Sequence, residues 1–385
     1  MAKLREVDTF IVDIPTIRPH VLAMATMSQQ SIVIVCIRDA DGFEGIGEGT
    51  TIGGLSYGAE SPESIKSAID SYMKPLLEVA DLENVRSVML TIAKFVKGNH
   101  IAKCAVETAL FDLLGKRLGC PVSDLLGGGR VRSSMPVAWT LASGDTAADI
   151  EEAENVIAQQ RHRIFKLKIG KRDVVDDVAH VAAICAAVGN RGSVRVDVNQ
   201  NWDEVQADRG MGMLHDVGVA LVEQPVAGDA IDVMSRLSAR HAIPIMADEA
   251  LHGPRSAFKL AAAASARIFA VKIAQSGGLI AAGEVASIAT AAGIGLYGGT
   301  MLEAGVGTAA SAHLFATFPD LAWGSELFGP LLLTEEILSE PLSYANFELQ
   351  VPTGPGLGVS LDDDKIAYFR RGRTAPRVHA VREKV

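Results

Sequence analysis

Val194-Arg195-Val196-Asp197 is a short apolar run that ends in an acidic residue, and the same arrangement occurs twice more. The other two copies are Ala220-Leu221-Val222-Glu223 and Ile245-Met246-Ala247-Asp248, so the three acids stand about 25 residues apart. This spacing accommodates one strand, one helix and their two loops. Acids at the ends of neighbouring parallel strands converge, and a hard divalent cation is the simplest reason to gather them. The pattern therefore predicts an α/β architecture with a metal site.

The alternation of strands and helices extends well beyond these three runs. Amphipathic stretches separate eight strand-like runs near residues 136–141, 164–169, 194–198, 219–223, 243–247, 268–273, 294–298 and 321–325. Eight such units predict a (β/α) barrel, in which all strand ends share one mouth. A doubly wound open sheet gives a similar alternation, but its strand ends would spread too widely for five successive ones to meet.

The first part of the chain has a different, α+β pattern. Two β-branched runs, at 7–15 and 31–38, precede a glycine-rich loop over 50–60, and helices are predicted over 62–79, 83–95 and 101–118. The predicted division is an α+β domain over 1–128, a barrel over 129–326, a segment returning to the first domain over 327–372 and a disordered tail over 373–385.

The composition limits the kind of protein. The formal net charge of −10 argues against nucleic acid or an anionic membrane surface as a partner. Neither a secretory signal nor an apolar run long enough to span a membrane is present. The four cysteines fit no zinc or disulfide pattern, which predicts reduced thiols in a cytoplasmic protein: Cys36, Cys104, Cys120 and Cys185.

Two lysines lie on the strand before the first acid. In Phe165-Lys166-Leu167-Lys168-Ile169-Gly170, alternation places Lys166 and Lys168 on the same side of the strand. If Leu167 packs against the helices, both lysines point into the barrel, where they are costly unless they lie beside negative charge. The alternative is an edge strand with both lysines in solvent, the ordinary place for lysine.

The other strands end in polar residues as well. Asn199 shares a face with Asp197, Lys272 ends the sixth strand, and Glu326 ends the eighth. Each has a structural explanation on its own, such as a helix cap or an ion pair, but five successive ionisable strand ends weaken those explanations together. A cation among the acids would lower lysine pKa values, which suits proton transfer at carbon beside a carboxylate.

This set of residues resembles the muconate-lactonizing subgroup of the enolase superfamily, which pairs a lysine or histidine base with a metal-stabilised enolate. A relative of the mandelate racemase type would instead use a histidine on strand seven, paired with an aspartate, and residues 294–298 contain no histidine. Longer stretches, over roughly residues 3–372, are similar to the bacterial muconate cycloisomerases: 15–20, 50–54, 137–145, 165–170, 196–200, 294–303 and 326–330.

The resemblance implies a modified (β/α)8 barrel of the (β/α)7β form, whose mouth is capped by the N-terminal domain and completed by the C-terminal segment. It implies conversion of the small dicarboxylate cis,cis-muconate to muconolactone in aromatic catabolism, with Mn²⁺ as cofactor and Mg²⁺ as a substitute. One substrate carboxylate adds across a double bond and lysine protonates the resulting enolate. A homo-oligomer, often an octamer, is typical of this family.

The resemblance also assigns roles. The metal ligands would be Asp197, Glu223 and Asp248. Lys168 would donate the proton, Lys166 would hold the substrate carboxylate, and Lys272 would face the other side of the substrate. Glu326 would complete the pocket. The expected substrate contacts are Ile52, Tyr57, Asn199 and Phe328.

Several alternatives stay open. Chloromuconate cycloisomerases share the fold and residues, although Ile52, Ala270 and Phe328 match the non-halogenated type. A dipeptide epimerase typically carries Asp-x-Asp on strand eight, where this chain has Gly324-Ser325-Glu326. The other alternative functions are an o-succinylbenzoate synthase, a Schiff-base lyase acting through Lys272 and a binding protein without activity. Gln275, where some relatives have lysine, is expected to alter the charge at the rim of the site.

Overall fold

The computed structural model describes residues 2–21 and 26–372, so the tail predicted over 373–385 lies outside the described residues. The chain begins with an antiparallel sheet of three strands in sequence order: β1 (Leu4–Val21), β2 (Thr26–Asp39) and β3 (Glu44–Thr50). Apolar and β-branched residues fill its buried face, as expected for strands half-covered by helices.

The β1–β2 ladder contains a large bulge near its far end. Pro15 pairs with Gln29, and the next described pair is His20 with Met27. Four residues of β1 therefore stand where β2 has one. Thr16, inside the bulge, pairs instead with Leu333 from the C-terminal segment. Bulges bend a strand and redirect its side chains, and they are frequent beside active sites.

After a short 3-10 turn at Gly54–Ser56 come five helices, of which the first two are joined by a π segment at Ile69–Met73: α1 (Pro62–Ala68), α2 (Lys74–Leu77), α3 (Val85–Phe95), α4 (His100–Leu118) and α5 (Val122–Leu125). Each helix predicted in this region is confirmed to within about two residues. The long α4 packs directly on β3. A Cβ at Gly47 would lie 1.9 Å from the carbonyl oxygen of Ala105, so glycine is required for this close contact.

The second part of the chain alternates strands and helices as predicted. Its elements are β4 (Ser134–Pro136), β5 (Trp139–Leu141), α6 (Thr146–Ala158), β6 (Ile164–Lys168), α7 (Val174–Val188), β7 (Ser193–Asp197), α8 (Glu204–Asp216), β8 (Val222–Glu223), α9 (Ile231–Arg240), β9 (Ile245–Ala247), α10 (Pro254–Ala262), β10 (Ile268–Val271), α11 (Ile273–Ser276), α12 (Leu279–Ala291), β11 (Gly295–Gly298) and α13 (Gly305–Phe315). A short 3-10 helix, Gly189–Arg191, precedes β7.

Strands β5 to β11 form one parallel seven-stranded sheet in sequence order. Ser325 closes it, because this residue pairs in parallel both with Gly298 of β11 and with Val137 beside β5. The eighth strand, predicted over 321–325, is thus reduced to a single bridging residue. The architecture is the (β/α)7β barrel, and the open-sheet alternative is excluded.

The strand predicted over 136–141 is divided between two sheets. Its first residues belong to β4, which pairs with a small C-terminal sheet, and only β5 joins the barrel. The C-terminal elements are α14 (Gly329–Leu332), β12 (Tyr344–Ala345), β13 (Glu348–Gln350) and α15 (Asp363–Phe369). The chain then returns to the first sheet, where Arg370 pairs with Val12.

Two buried glutamates of the first domain hold the barrel helices. Glu48 on β3 accepts hydrogen bonds from the backbone N–H groups of Ala304 and Gly307, both at 2.7 Å, at the start of α13. Glu107 on α4 accepts one from Ile280 at 3.1 Å, at the start of α12. Each carboxylate satisfies backbone donors that a helix N-terminus leaves unpaired. Within residues 2–21 and 26–372, no helix is long and apolar enough to cross a membrane.

Candidate active site

The strand register of the barrel aligns the predicted charged residues. Lys168 on β6 lies opposite Asp197 on β7, and Asp197 lies opposite Glu223 on β8. Asp248 follows directly after β9, and Lys272 follows directly after β10. Because all these strands are parallel, the five side chains meet at the carboxyl end of the barrel.

The three acids are close enough to share one ion. All three are buried, and one oxygen from each of Asp197, Glu223 and Asp248 lies within 4.8 Å of the other two. Both carboxylate oxygens of Glu223 and Oδ1 of Asp248 are buried without a hydrogen-bond partner among the described residues. Buried carboxylate oxygens are costly when unpaired. An all-oxygen set of this kind fits a hard divalent cation, so these residues could hold one.

Each of the three predicted lysines contacts one of the acids. Lys168 lies 2.5 Å from Asp197, and Lys272 lies 2.7 Å from Asp248. Lys166 lies 2.6 Å from Glu223 Oε2, although the orientation is not that of a hydrogen bond, and it lies 2.5 Å from Glu326 Oε2. The three acids therefore lie on consecutive strands, with Lys166 and Lys168 on one side of them and Lys272 on the other.

The same contacts determine the protonation of the lysines. Burial, the largest influence, lowers the pKa of Lys168, but the negative charges of Asp197, Glu326 and Glu223 together outweigh it, so the net shift is upward. Burial also lowers the pKa of Lys272, and the negative charges of Asp248, Glu223 and Glu249 together raise it by more, so its net shift is upward as well. The sequence predicts lowered lysine pKa values for a site that holds a cation, so the upward shift caused by the protein groups does not test that expectation, which stays a prediction. A cation bound to the same carboxylates opposes this upward shift.

A loop of the first domain closes over the site. Tyr57 donates a hydrogen bond from its hydroxyl to Asp248 at 2.8 Å, and the same hydroxyl accepts one from Lys272 at 2.9 Å. Ile52 is buried beside it. Gly53 and Gly54 both have positive φ, 61° and 65°, a backbone conformation that favours glycine and turns the loop over the mouth.

Of the predicted substrate contacts, Ile52, Tyr57 and Asn199 line the central cavity together with the acids, the lysines and Glu326. Asn199 also donates hydrogen bonds to Asp197 and Glu249. Phe328 is different, because it does not line the cavity. Its ring packs at 5.1 Å from Trp139, one layer behind.

The sequence reasoning missed four residues that line the cavity: His20, Thr140, Thr300 and Leu302. Thr140 lies on a barrel strand and Thr300 follows one, so attention to every strand end would have found both. It also placed Gln275 wrongly at the rim. Gln275 is buried and donates hydrogen bonds to the backbone oxygens of Asp248 and Leu251, at 2.6 and 2.9 Å, so it braces the loop after β9.

A larger concavity, of about 850 Å³, lies between the first domain and helices α12 and α13. It contains none of the predicted site residues. Its lining is mainly apolar, and its charged residues are Glu83, Arg86 and Glu284. The predicted acids and lysines line the cavity at the barrel mouth instead.

Two family models match the chain. Residues 6–127 match the N-terminal domain of mandelate racemase and muconate lactonizing enzyme, and residues 148–365 match the enolase C-terminal domain-like model. Muconate cycloisomerase 1-2 of Acinetobacter lwoffii is 60% identical over 96% of both chains. A chloromuconate cycloisomerase of Pseudomonas sp. (strain P51) is 44% identical over 96% of this chain and 99% of its own.

The fold and its architecture agree with a solved structure as well. The muconate lactonizing enzyme of Pseudomonas fluorescens, solved in complex with muconolactone, superimposes with a TM-score of 0.95 at 55% identity. The match covers 96% of this chain and all of that one. With these models and relatives extending along nearly its whole length, the chain belongs to the mandelate racemase / muconate lactonizing enzyme family, a family of enolase-like enzymes.

Proposed function

We propose that this enzyme converts cis,cis-muconate to muconolactone, with a metal-stabilised enolate that lysine protonates. The observation that carries the proposal is the arrangement of three buried acids, Asp197, Glu223 and Asp248, between Lys168 on one side and Lys272 on the other. Relatives named muconate cycloisomerase at 54–60% identity support the same substrate, as does the muconolactone bound to the Pseudomonas fluorescens enzyme.

In this proposal the three acids hold a divalent cation, Mn²⁺ by family resemblance with Mg²⁺ as a substitute. When bound, the cation stabilises the negative charge that develops on the substrate carboxylate next to the reacting carbon. Lys166 is held by Glu326 beside the same carboxylates, so its charge also faces that end of the substrate. The protein groups thus concentrate positive charge where the enolate forms.

The balance of the reaction favours Lys168 as the acid. The substrate carries two carboxylates and the lactone carries one. A carboxylate oxygen forms a bond to carbon, the electron pair of the double bond moves to the carbon next to the other carboxylate, and that carbon takes up one proton. The donor must therefore be recharged from solvent in each turnover. The side chain of Lys168 is 13% exposed, whereas Lys272 is only 4% exposed.

Residues of the capping domain close the site in this proposal. Tyr57 fixes Asp248 and Lys272 by its hydroxyl, and Ile52 presents an apolar wall to the carbon chain of the substrate. Asn199 orients Asp197. Phe328 does not contact the substrate and supports the wall of the cavity through its packing on Trp139. We retain the division into a cap over 1–128, a barrel over 129–326 and a returning segment over 327–372.

We propose that the enzyme binds a small dicarboxylate as its substrate and that it has no nucleic-acid or membrane partner. A homo-oligomer, of the octameric kind found in the family, and a cytoplasmic location stay predictions. The residues that end the barrel, 324–326, disfavour the dipeptide epimerase alternative. Ser325 is used for barrel closure, and Glu326 is engaged by Lys166, which leaves no acidic pair at 324–326 for a peptide amine.

The kcat/KM for cis,cis-muconate and for its 2-chloro analogue tests the proposal. We expect the Mn²⁺-loaded enzyme to prefer cis,cis-muconate and to release muconolactone. A preference for the chlorinated substrate would place the enzyme with the chloromuconate cycloisomerases. Absence of turnover on both, with dipeptides or o-succinylbenzoate precursors accepted, would contradict lactonisation.

A further inference from the structure

His20 is a buried histidine of the capping domain that faces the catalytic cavity. His20 is only 1% exposed, and it lines the same cavity as Lys166 and Lys168. Its Nδ1 is buried without a hydrogen-bond partner among the described residues. A buried polar group without a partner is costly, and most such groups in proteins are satisfied. The position of His20 therefore calls for a partner that occupies the cavity.

The chain holds His20 in this position by a defined set of contacts. It pairs with Met27 immediately after the bulge in β1, which redirects the strand towards the barrel. Two residues earlier, Arg18 donates hydrogen bonds to Glu152 at 2.9 Å and to the backbone oxygen of Thr140 at 3.0 Å. Trp139 donates to the same oxygen of Glu152 at 2.9 Å. This network fastens the end of β1 to the barrel beside the cavity.

His20 and Tyr57 approach the cavity from two different sides. Tyr57 contacts Asp248 and Lys272, whereas His20 lies near Phe328, with ring centroids 6.4 Å apart, and close enough to Lys168 for its charge to act on the imidazole. Tyr57 thus contacts one of the proposed metal ligands, whereas the neighbours of His20 are Phe328 and Lys168. A dicarboxylate with one end on the three acids would extend its other end into the remaining cavity.

The environment keeps the imidazole neutral. Burial, followed by the positive charges of Lys168 and Arg18, lowers the pKa of His20 to about 3. A neutral imidazole has one N–H donor and one acceptor nitrogen. It can therefore orient a carboxylate by a hydrogen bond without adding a full positive charge. That property matters for a carboxylate that must act as a nucleophile.

We propose that His20 donates a hydrogen bond to the substrate carboxylate that is not held by the metal site, and so selects for a second carboxylate and orients it for ring closure. This inference rests on the proposed function, because it concerns the same cavity and substrate. His20 is a binding and positioning residue in this account, and the proton still comes from lysine.

His162 provides a matched control within the chain. It is also 1% exposed, and burial lowers its pKa to about 4. It stacks on Trp139 at 5.0 Å, and its Nδ1 bonds the backbone oxygen of Val137 at 3.0 Å. It does not line the cavity. His162→Phe therefore removes a similarly buried imidazole without changing the groups that face the substrate.

The test measures binding of adipate, a saturated six-carbon dicarboxylate that cannot lactonise, and of its monomethyl ester. Titration calorimetry on the Mn²⁺-loaded protein compares the wild type with His20→Phe, His20→Gln and His162→Phe, after thermal unfolding confirms that each is folded. We expect His20→Phe to weaken adipate binding about ten- to hundredfold, the usual effect of losing a hydrogen bond to a charged group. Binding of the monoester should change little. His20→Gln, which keeps an N–H donor, should recover most of the loss, and Mn²⁺ affinity should be unchanged throughout.

Three results would overturn the inference: unchanged adipate binding in His20→Phe, an equal loss for adipate and its monoester, or an equal loss in His162→Phe. The proposed function is tested separately by turnover of cis,cis-muconate in the wild type. A wild-type protein that fails to lactonise muconate but shows the His20-dependent preference for adipate would sink the proposed function and the role in ring closure, and would leave only the binding of a second carboxylate by His20 standing. If the wild type lactonises muconate and any of the three results above is obtained, the proposed function stands and the inference on His20 is overturned.

Discussion

Lys168 on β6 donates a hydrogen bond to Asp197 on β7, with 2.5 Å between Nζ and Oδ2. The two residues are direct neighbours in the register of the parallel sheet. The group proposed to deliver the proton is therefore in contact with a group proposed to bind the metal. Any change in the charge at the metal site acts on the acidity of Lys168 through this contact.

Replacement of Lys168 tests its role as the acid. Lys168→Ala should lower kcat for lactonisation by about 10²- to 10⁴-fold, the usual contribution of a general acid. Mn²⁺ affinity should persist or increase, because the variant removes a positive charge next to Asp197. Steady-state kinetics and metal titration measure the two effects. Lys171→Ala, an exposed lysine near the same strand end, serves as the control and should leave kcat unchanged; near-normal turnover by Lys168→Ala would show that another residue is the acid.

The stereochemistry of the lactone distinguishes Lys168 from Lys272. The two lysines contact different acids, Asp197 and Asp248, and lie on different sides of the metal site. If Lys168 donates the proton, lactone formed in D₂O should carry deuterium on the same face as the new ring oxygen. Proton NMR of the isolated lactone reports this directly. Deuterium on the opposite face would assign the proton to Lys272.

The hydroxyl of Tyr57 can be removed without disturbing the loop backbone. Tyr57→Phe deletes the hydrogen bonds to Asp248 and Lys272 and should lower kcat/KM for muconate about ten- to hundredfold, since a hydrogen bond to a charged group contributes about 1.5–3 kcal/mol. Leu55→Ala, at an exposed position of the same loop, is the control and should retain activity. Equal kinetics for Tyr57→Phe and the wild type would mean that the hydroxyl does not organise the site.

The two glutamates between the domains predict a pH dependence of stability. Burial raises the pKa of Glu48 and of Glu107 from the ordinary 4.5 to about 7. The folded state binds these two protons more tightly than the unfolded state does. The resulting stabilisation of the fold is therefore complete below about pH 4.5 and is lost as the pH rises through about 7. Through this shift in pKa, each of the two glutamates contributes about 3 kcal/mol to the free energy of unfolding. Thermal unfolding should therefore show a falling Tm between pH 6 and 8.

Glutamine variants identify the source of this slope. Glu48→Gln and Glu107→Gln should each flatten the dependence of Tm on pH, because they remove the titrating carboxylate. Glu78→Gln, at an exposed position beyond α2, should leave the slope as in the wild type. A slope that survives the double variant Glu48→Gln/Glu107→Gln would assign it to other groups.

Much of the barrel and the charged site could be predicted from the sequence, because strand period and strand-end chemistry are local signals. Leu167 and Lys166 are both buried on alternate faces of β6, as the alternation predicts. The eighth strand could not be predicted as a single residue. Ser325 closes the sheet through pairing with Gly298 and Val137, which are distant in sequence.

The residues missed in the site have a common physical cause. His20 reaches the cavity only because β1 bulges and pairs in part with the C-terminal segment through Thr16. Gln275 is buried because its amide bonds the loop after β9. Both placements depend on long-range contacts, which a periodic pattern in one segment does not encode. The role of Phe328 changed for the same reason, since Trp139 holds its ring behind the cavity.

The central claim is that three acids, Asp197, Glu223 and Asp248, support lactonisation by binding a divalent cation. The most direct measurement is muconolactone formation by chelator-treated protein, before and after addition of Mn²⁺, with cis,cis-muconate as substrate. We predict that activity is lost with the chelator and returns with Mn²⁺, and that Glu223→Gln does not recover while remaining folded. Full activity in protein shown by elemental analysis to be free of metal would contradict the account.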